Sequence, residues 1–277
     1  METVFHTGEL AVQARAGVSE KAARIGRSIH PSISSRMQLF LQNQTFVAVT
    51  STDEKGEVWI SILTGPVGFI EVYDPHTVRI DATITEGDPL RENLSLGGAV
   101  GLIAIEFDQR ARSRLNGTAE LLNDGSFLIH AKQVYGNCPK YIQARTAHIV
   151  GSTLGEKSSS TVSSGQLSSN QQAWIKEADT FFIGTIHKDE GADASHRGGR
   201  NGFVQIIDNK HLLWPEYAGN MMYNTLGNLN ADGRAGLIFI DFDHGSLLQL
   251  SGKAEIIWDE TEISKVEGAE RLVSFEI

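Results

Sequence analysis

Two short stretches hold most of the side chains able to do chemistry. The first is Ser195-His-Arg-Gly-Gly-Arg-Asn-Gly-Phe203. Its glycines let the backbone approach a flat ligand closely, while two arginines and a histidine can face electron-rich or anionic parts of that ligand. The same composition also suits a glycine-rich hairpin with solvated arginines. The second is Trp214-Pro-Glu-Tyr-Ala-Gly-Asn-Met-Met-Tyr-Asn-Thr-Leu-Gly-Asn-Leu229, running from a strand end into a helix start. Asn220, Asn224, Thr225 and Asn228 crowd amides and hydroxyls onto that short helix. A helix N-terminus offers free N–H groups and a positive dipole end, which is what holding a phosphate requires. Plain asparagine capping is the competing reading.

Other reactive types give weaker signals. Cys138 precedes Pro139 and Lys140, and a nearby cation can lower a thiol pKa. No base can be paired with it, so packing or a ligand contact competes with a nucleophilic role. The nine histidines do not fall at metal-ligand spacings, and no metal site is expected. Arg110, Arg112 and Arg114 alternate along a strand and read as a solvated face.

These stretches sit in the second half of a chain that repeats itself. Residues 101 to 120 and 236 to 255 match at ten of twenty positions without a gap, sharing Gly-Leu-Ile, Phe and Asp. Thr45-Phe46 corresponds to Thr180-Phe181, and Gly68-Phe69 to Gly202-Phe203. Two copies of one β-rich unit follow. Copy one has Trp59-Ile-Ser-Ile-Leu-Thr-Gly-Pro-Val-Gly-Phe69 and Glu86-Gly-Asp-Pro-Leu-Arg-Glu-Asn-Leu94 at the corresponding places. Its acids would repel a phosphate, so only copy two reads as phosphate-competent.

The elements that must position the sites follow from periodicity. Residues 1 to 43 read as a helical extension, with Ser19 as an N-cap and a second helix over Ser35 to Gln42. Copy one covers 44 to 150, with strands at Thr45 to Thr50, Val58 to Leu63, Phe69 to Tyr73, Val78 to Thr83, Val100 to Phe107, Arg112 to Leu122 and Phe127 to Val134. Residues 151 to 172 contain eight serines and almost no bulky apolar residue, so they read as a linker. Copy two covers 173 to 277, opening with a helix near Ala173 to Ala178. Its strands are expected at Thr180 to Ile186, Phe203 to Ile207, Leu212 to Trp214, Ala235 to Phe242, Leu247 to Trp258 and Arg271 to Glu276. Short strands with tight turns indicate antiparallel barrels or sandwiches.

Composition narrows the function classes. The net charge of −10 argues against nucleic acid, which needs clustered Lys and Arg. No apolar run approaches the roughly 20 residues of a membrane span. One cysteine excludes an internal disulfide and fits a reducing compartment. A cytoplasmic protein is the expectation.

The Gly/Arg turn, the Asn/Thr helix start and the run Ala-Gly-Leu-Ile-Phe-Ile-Asp-Phe together resemble the pyridoxamine 5′-phosphate oxidase-like FMN-binding split-barrel family. Asn-Cys-Pro-Lys-Tyr-Ile at 137 to 142 is similar to its oxidase-related branch, and the resemblance spans most of residues 5 to 277. It implies a mainly β fold with peripheral helices: two tandem antiparallel split β-barrels, six strands each, with FMN between barrels. Carried over, Arg197, Gly198, Gly199, Gly202, Phe203 and Val204 would border the flavin ring, with His196 and Arg200 beside it. Asn220, Asn224, Thr225 and Asn228 would meet the phosphate. Gln249 on the long strand would reach the cofactor, as would Cys138 and Lys140 across the barrel interface. His196 would be a proton donor near the flavin or else an exposed loop residue. The chain departs from true pyridoxamine phosphate oxidases in two places. Tyr-Asn-Thr replaces their Arg and Lys pair at the helix start, and the C-terminus lacks their basic, histidine-containing segment. The implied function is a flavin-dependent oxidoreductase of unknown substrate and electron partner; the alternative is an FMN carrier or a haem-binding relative. The barrels would pair within the chain or in a homodimer.

Overall fold

The computed structural model describes residues 3–146 and 161–277. Most of the expected linker lies outside them, but its last part does not read as a spacer. Leu167 is buried in the core of copy two, and Ser168 caps α5 (Ser169–Glu177), so the helix begins before the expected Ala173. At the N-terminus stand α1 (Thr7–Arg15), α2 (Ser19–Gly26) and α3 (Ser35–Gln42). Val18, one residue before the expected Ser19, is the N-cap of α2. A capping box starts α1: the His6 ring accepts from the Gly8 N–H, and the Glu9 carboxylate accepts from the His6 N–H.

Copy one contains β1 (Phe46–Thr52), β2 (Val58–Thr64), β3 (Ile70–Asp74), β4 (Thr77–Ile80), α4 (Leu90–Ser95), β5 (Gly98–Glu106), β6 (Ala111–Leu121) and β7 (Phe127–Gly136). Copy two repeats the plan with β8 (Thr180–His187), β9 (Gly191–Gly198), β10 (Gln205–Ile206), β11 (His211–Tyr217), α6 (Asn224–Ala231), β12 (Arg234–Ile240), β13 (Leu247–Ile257) and β14 (Ala269–Glu276), with α7 (Glu260–Ile263) between the last two strands. The strand orders are β2-β1-β5-β6-β7-β4-β3 and, read from the matching end, β9-β8-β12-β13-β14-β11-β10. All neighbours are antiparallel. The protein is thus mainly β, two tandem split barrels of one topology. Each sheet has seven strands rather than the six implied, the short β3 or β10 adding an edge.

The shared Gly-Leu-Ile motif has a physical cause. Alternate residues of a strand point to opposite faces, and here both faces are buried. Leu102 and Ala104 enter the core of barrel one, whereas Ile103 and Ile105 enter a core shared by both barrels. Leu237, Phe239 and Ile238 divide in the same way in copy two. Ala48, Ile60, Phe182 and Ala194 complete the shared core. The glycines permit the crossing of strands from opposite copies. A Cβ on Gly101 would lie 2.6 Å from the Asp193 carbonyl carbon, and one on Gly236 would lie 2.6 Å from the Val58 oxygen. Strand β5 therefore crosses β9 at Gly101, and β12 crosses β2 at Gly236.

Candidate functional site

The crossing of β6 and β9 opens a cleft between the copies. Copy one contributes Arg112, Arg114, Asn137, Lys140 and Tyr141; copy two contributes the end of β9, part of β11, the loop after it and the first turn of α6. About 730 Å³ of space lies between these walls, much of it open to solvent.

The expected Gly/Arg turn is in part a strand. Ser195 to Gly198 end β9, with His196 opposite Phe182 and Arg197 opposite Phe181 on β8. His196 is only 3% exposed, not a loop residue in solvent. Its Nδ1 lies 2.9 Å from Arg112 Nη1. A guanidinium only donates, so Nδ1 accepts and the ring proton sits on Nε2. That nitrogen has no partner. Burial, reinforced by Arg112, Arg197, Arg145 and Arg114, holds the His196 pKa well below its usual value. The ring is neutral at physiological pH, so the near-neutral pKa expected of a proton donor there is not found.

Arg112 is the unusual charge of the cleft. Its Nη2 donates to the Cys138 carbonyl at 2.7 Å, and among the described residues no carboxylate pairs with it. Burial first, then repulsion from Arg114 and Arg197, pushes its pKa down to about 9, which leaves it cationic at neutral pH. Neighbouring charges are compensated. Arg114, 6% exposed, donates to both oxygens of Asp193 at 2.9 and 3.1 Å. Asp193 also accepts from Tyr135 at 3.1 Å, Thr225 at 3.2 Å and Ser195 at 3.3 Å. Arg197 donates from Nε to Glu216 at 2.5 Å, and the Trp214 indole N–H lies 3.3 Å from the same oxygen. Both carboxylates are thereby matched, and Arg112 and the exposed Lys140 leave the cleft net positive.

The start of α6 adds to this field. Its N-cap Tyr223 is left-handed at φ 61°, and no side chain caps the first turn, so the amides there and the dipole face the cleft without a protein acceptor from a cap. Among the described residues four non-glycines have positive φ, and three of them, Tyr141, Met221 and Tyr223, line this cleft. Such strain persists only where surrounding structure enforces it, and it collects at functional sites. Asn224 is held by Glu9 at 2.5 Å, which ties α1 to the head of α6.

Of the expected residues, His196, Arg197, Gly198, Phe203, Asn220, Asn224, Thr225 and Lys140 line the cleft. The others stand elsewhere. Cys138 lies behind it, offering its carbonyl to Arg112. The Gly199 carbonyl accepts from Gln143, Arg200 and Gly202 are exposed, and Val204 belongs to the core of barrel two. Asn228 lies beneath α6, bonded to His6 and Thr185. Gln249 reaches the opposite side of the barrel interface, donating to Ile60 and Asp88.

Sequence reasoning missed Arg112 and Arg114. They are not a solvated face, because β9 of the second barrel covers that face of β6. A signal was available: they stand where copy two has Leu247 and Gln249, a change from apolar and neutral to charged at two matched positions.

Among the described residues, no group of His, Cys, Asp and Glu could hold a metal ion. No described helix is long and apolar enough to cross a membrane. No curated protein matches the chain. Solved structures with likeness include a candidate pyridoxamine 5′-phosphate oxidase from Lactobacillus delbrueckii, 17% identical, covering 41% of this chain and 92% of that one with a TM-score of 0.35. HupZ from Group A Streptococcus is 12% identical, covering 40% and 88% with a TM-score of 0.34. An F420 reductase is 13% identical, covering 38% and 88% with a TM-score of 0.28. Residues 167–274 match the family model of pyridoxamine 5′-phosphate oxidase, so the copy that carries the Gly/Arg strand and the α6 start bears the family resemblance read from its motifs.

Proposed function

We propose that the inter-barrel cleft binds FMN and that the protein is a flavin-dependent oxidoreductase. The observation behind this is Arg112, a half-buried guanidinium without a carboxylate, beside an uncapped helix start. A charge drawn partly out of water is costly unless an opposite charge pairs with it, and an anionic ligand supplies that pair. The donor set fits FMN. His196 Nε2 and both polar atoms of the Asn137 amide are buried without partners in the cleft wall, which suits a ligand rich in acceptors and donors. The backbone N–H groups of the first turn of α6, at Asn224 and Thr225, would hold the phosphate, with charge from Arg112 and Lys140. When bound, the flavin would supply hydride or electron transfer. The protein's residues bind and orient it, and Asp193 and Glu216 keep Arg114 and Arg197 in place. Because both walls come from one chain, an intrachain barrel pair is enough to form the site.

The test is absorbance of the purified protein after incubation with FMN and removal of free ligand. Retained flavin bands, with reduction by a nicotinamide donor, agree with the proposal. A protein that stays colourless, or shows a haem Soret band instead, contradicts it.

A further inference from the structure

Residues 218–223 form a wall with the flavin cleft on one side and a second, solvent-open hollow on the other. Trp258, the residue after β13, lines this hollow. The Arg15 guanidinium, from the last turn of α1, lies 4.5 Å from its ring centroid, and that of Arg271 lies 5.1 Å away. Arg271 also lies 4.8 Å from the ring of Tyr223, a wall residue. Such cation–π contacts need no carboxylate, and carboxylates are scarce here. Arg271 is only 4% exposed and donates to Glu270 at 2.8 Å, while its Nε has no partner. Arg15 is exposed and, among the described residues, forms no ion pair. Two guanidiniums therefore stand against a single carboxylate, bonded to Arg271 alone, beside aromatic faces and the apolar side chain of Met221.

That combination suits one kind of ligand: a planar apolar body ending in an oxyanion. We infer that this hollow is a binding site for an aromatic carboxylate. The carboxylate lies with Arg15 and Arg271, where a charge-assisted bond to arginine is strong and geometrically specific. The ring lies against Tyr223, Trp258 and Met221. If the arginines served only to fasten α1 to barrel two, they would require no ligand, and this difference makes the inference testable.

The experiment is calorimetric titration of the 277-residue chain, freed of any bound ligand, with benzoate. Saturable one-to-one binding is expected, weakened about tenfold or more by Arg15→Gln and by Trp258→Leu. Arg15 is exposed, so its variant should keep the wild-type melting profile. Benzyl alcohol and inorganic phosphate are expected to bind at least about tenfold more weakly than benzoate, since each lacks one half of the recognised group. Absence of benzoate binding overturns the inference, as does an unchanged Kd in Arg15→Gln, or benzyl alcohol or phosphate binding as tightly as benzoate. Arg112→Leu should leave the benzoate Kd unchanged; a fall in affinity there would place benzoate in the flavin cleft and also overturn it. The inference does not rest on the flavin reading, because FMN binding is not its readout.

Discussion

The two barrels meet through matched crossings, and only one of these crossings is an open site. At the first, β6 of copy one faces β9 and α6 of copy two, with Arg112 and Arg114 pointing into the seam. At the second, β13 faces β2 and α4, and the matched residues are Leu247 and Gln249. Leu247 packs into the shared apolar core, while Gln249 donates to Asp88 at 3.0 Å and to the Ile60 carbonyl at 3.0 Å. Ser61 closes the group by donating to Asp88 at 2.6 Å. Even the helix anchors correspond: Asn93 bonds Ser51, and Asn228 bonds Thr185. The sealed crossing satisfies its polar groups internally with neutral donors, whereas the open one keeps a cation without a carboxylate and several polar atoms without partners. Unsatisfied chemistry, rather than a different fold, distinguishes the site from the seal.

The largest effect should come from the ion pair that the seal lacks. Arg114→Met leaves Asp193 buried without its cation and should cost roughly 3–5 kcal/mol of unfolding free energy, read by urea denaturation. Gln249→Met at the matched position should cost far less, and equal losses would remove the distinction.

The clamp on the head of α6 gives a pH signature. Burial raises the Glu9 carboxyl to about 7 from an ordinary 4.5. The folded state then holds a proton that the unfolded state has lost between those values, so stability falls as pH rises through this window and levels off above it. The shift corresponds to at most about 3 kcal/mol. His6 and His196 are held below their usual pKa and act in the opposite sense, losing stability on acidification. Glu9→Gln isolates the carboxyl: the wild-type minus variant difference in urea midpoint should fall as pH rises from about 5 to about 8. A difference that does not change with pH would assign the dependence to other groups.

Smaller still, Gly101→Ala and Gly236→Ala should each cost about 1–3 kcal/mol, because each new Cβ meets a backbone atom of the other copy at 2.6 Å. Similar losses are expected, since both crossings need close approach whether or not they bind anything. A loss confined to one would show that the crossings are not equivalent.

Much of this architecture was legible in the sequence. Strands β1, β2, β5, β6 and β13 fall within two residues of their expected bounds, because Val, Ile and Phe runs between Asp and Gly turns are strong local signals. Strand β9 was not seen, since Gly191-Ala-Asp-Ala-Ser-His-Arg-Gly198 lacks β-branched residues and is held as a strand by β8 and β5. The same long-range packing hid Arg112: alternate arginines look solvated until another barrel covers them. Asn228 and Gln249 carried suitable chemistry in their side chains, but which way they face is set by α1 and by β2, elements distant in the chain.

The central claim is that Arg112 stands in the cleft for its ligand and not for the fold, and Arg112→Leu, which copies Leu247 of the sealed crossing, tests it most directly. Urea denaturation and FMN titration of the same variant should show an unfolding midpoint equal to or above wild type, because an uncompensated cation has been removed, together with an FMN Kd raised about tenfold or more. An unchanged FMN Kd, or a loss of stability in the ligand-free protein, would contradict the account.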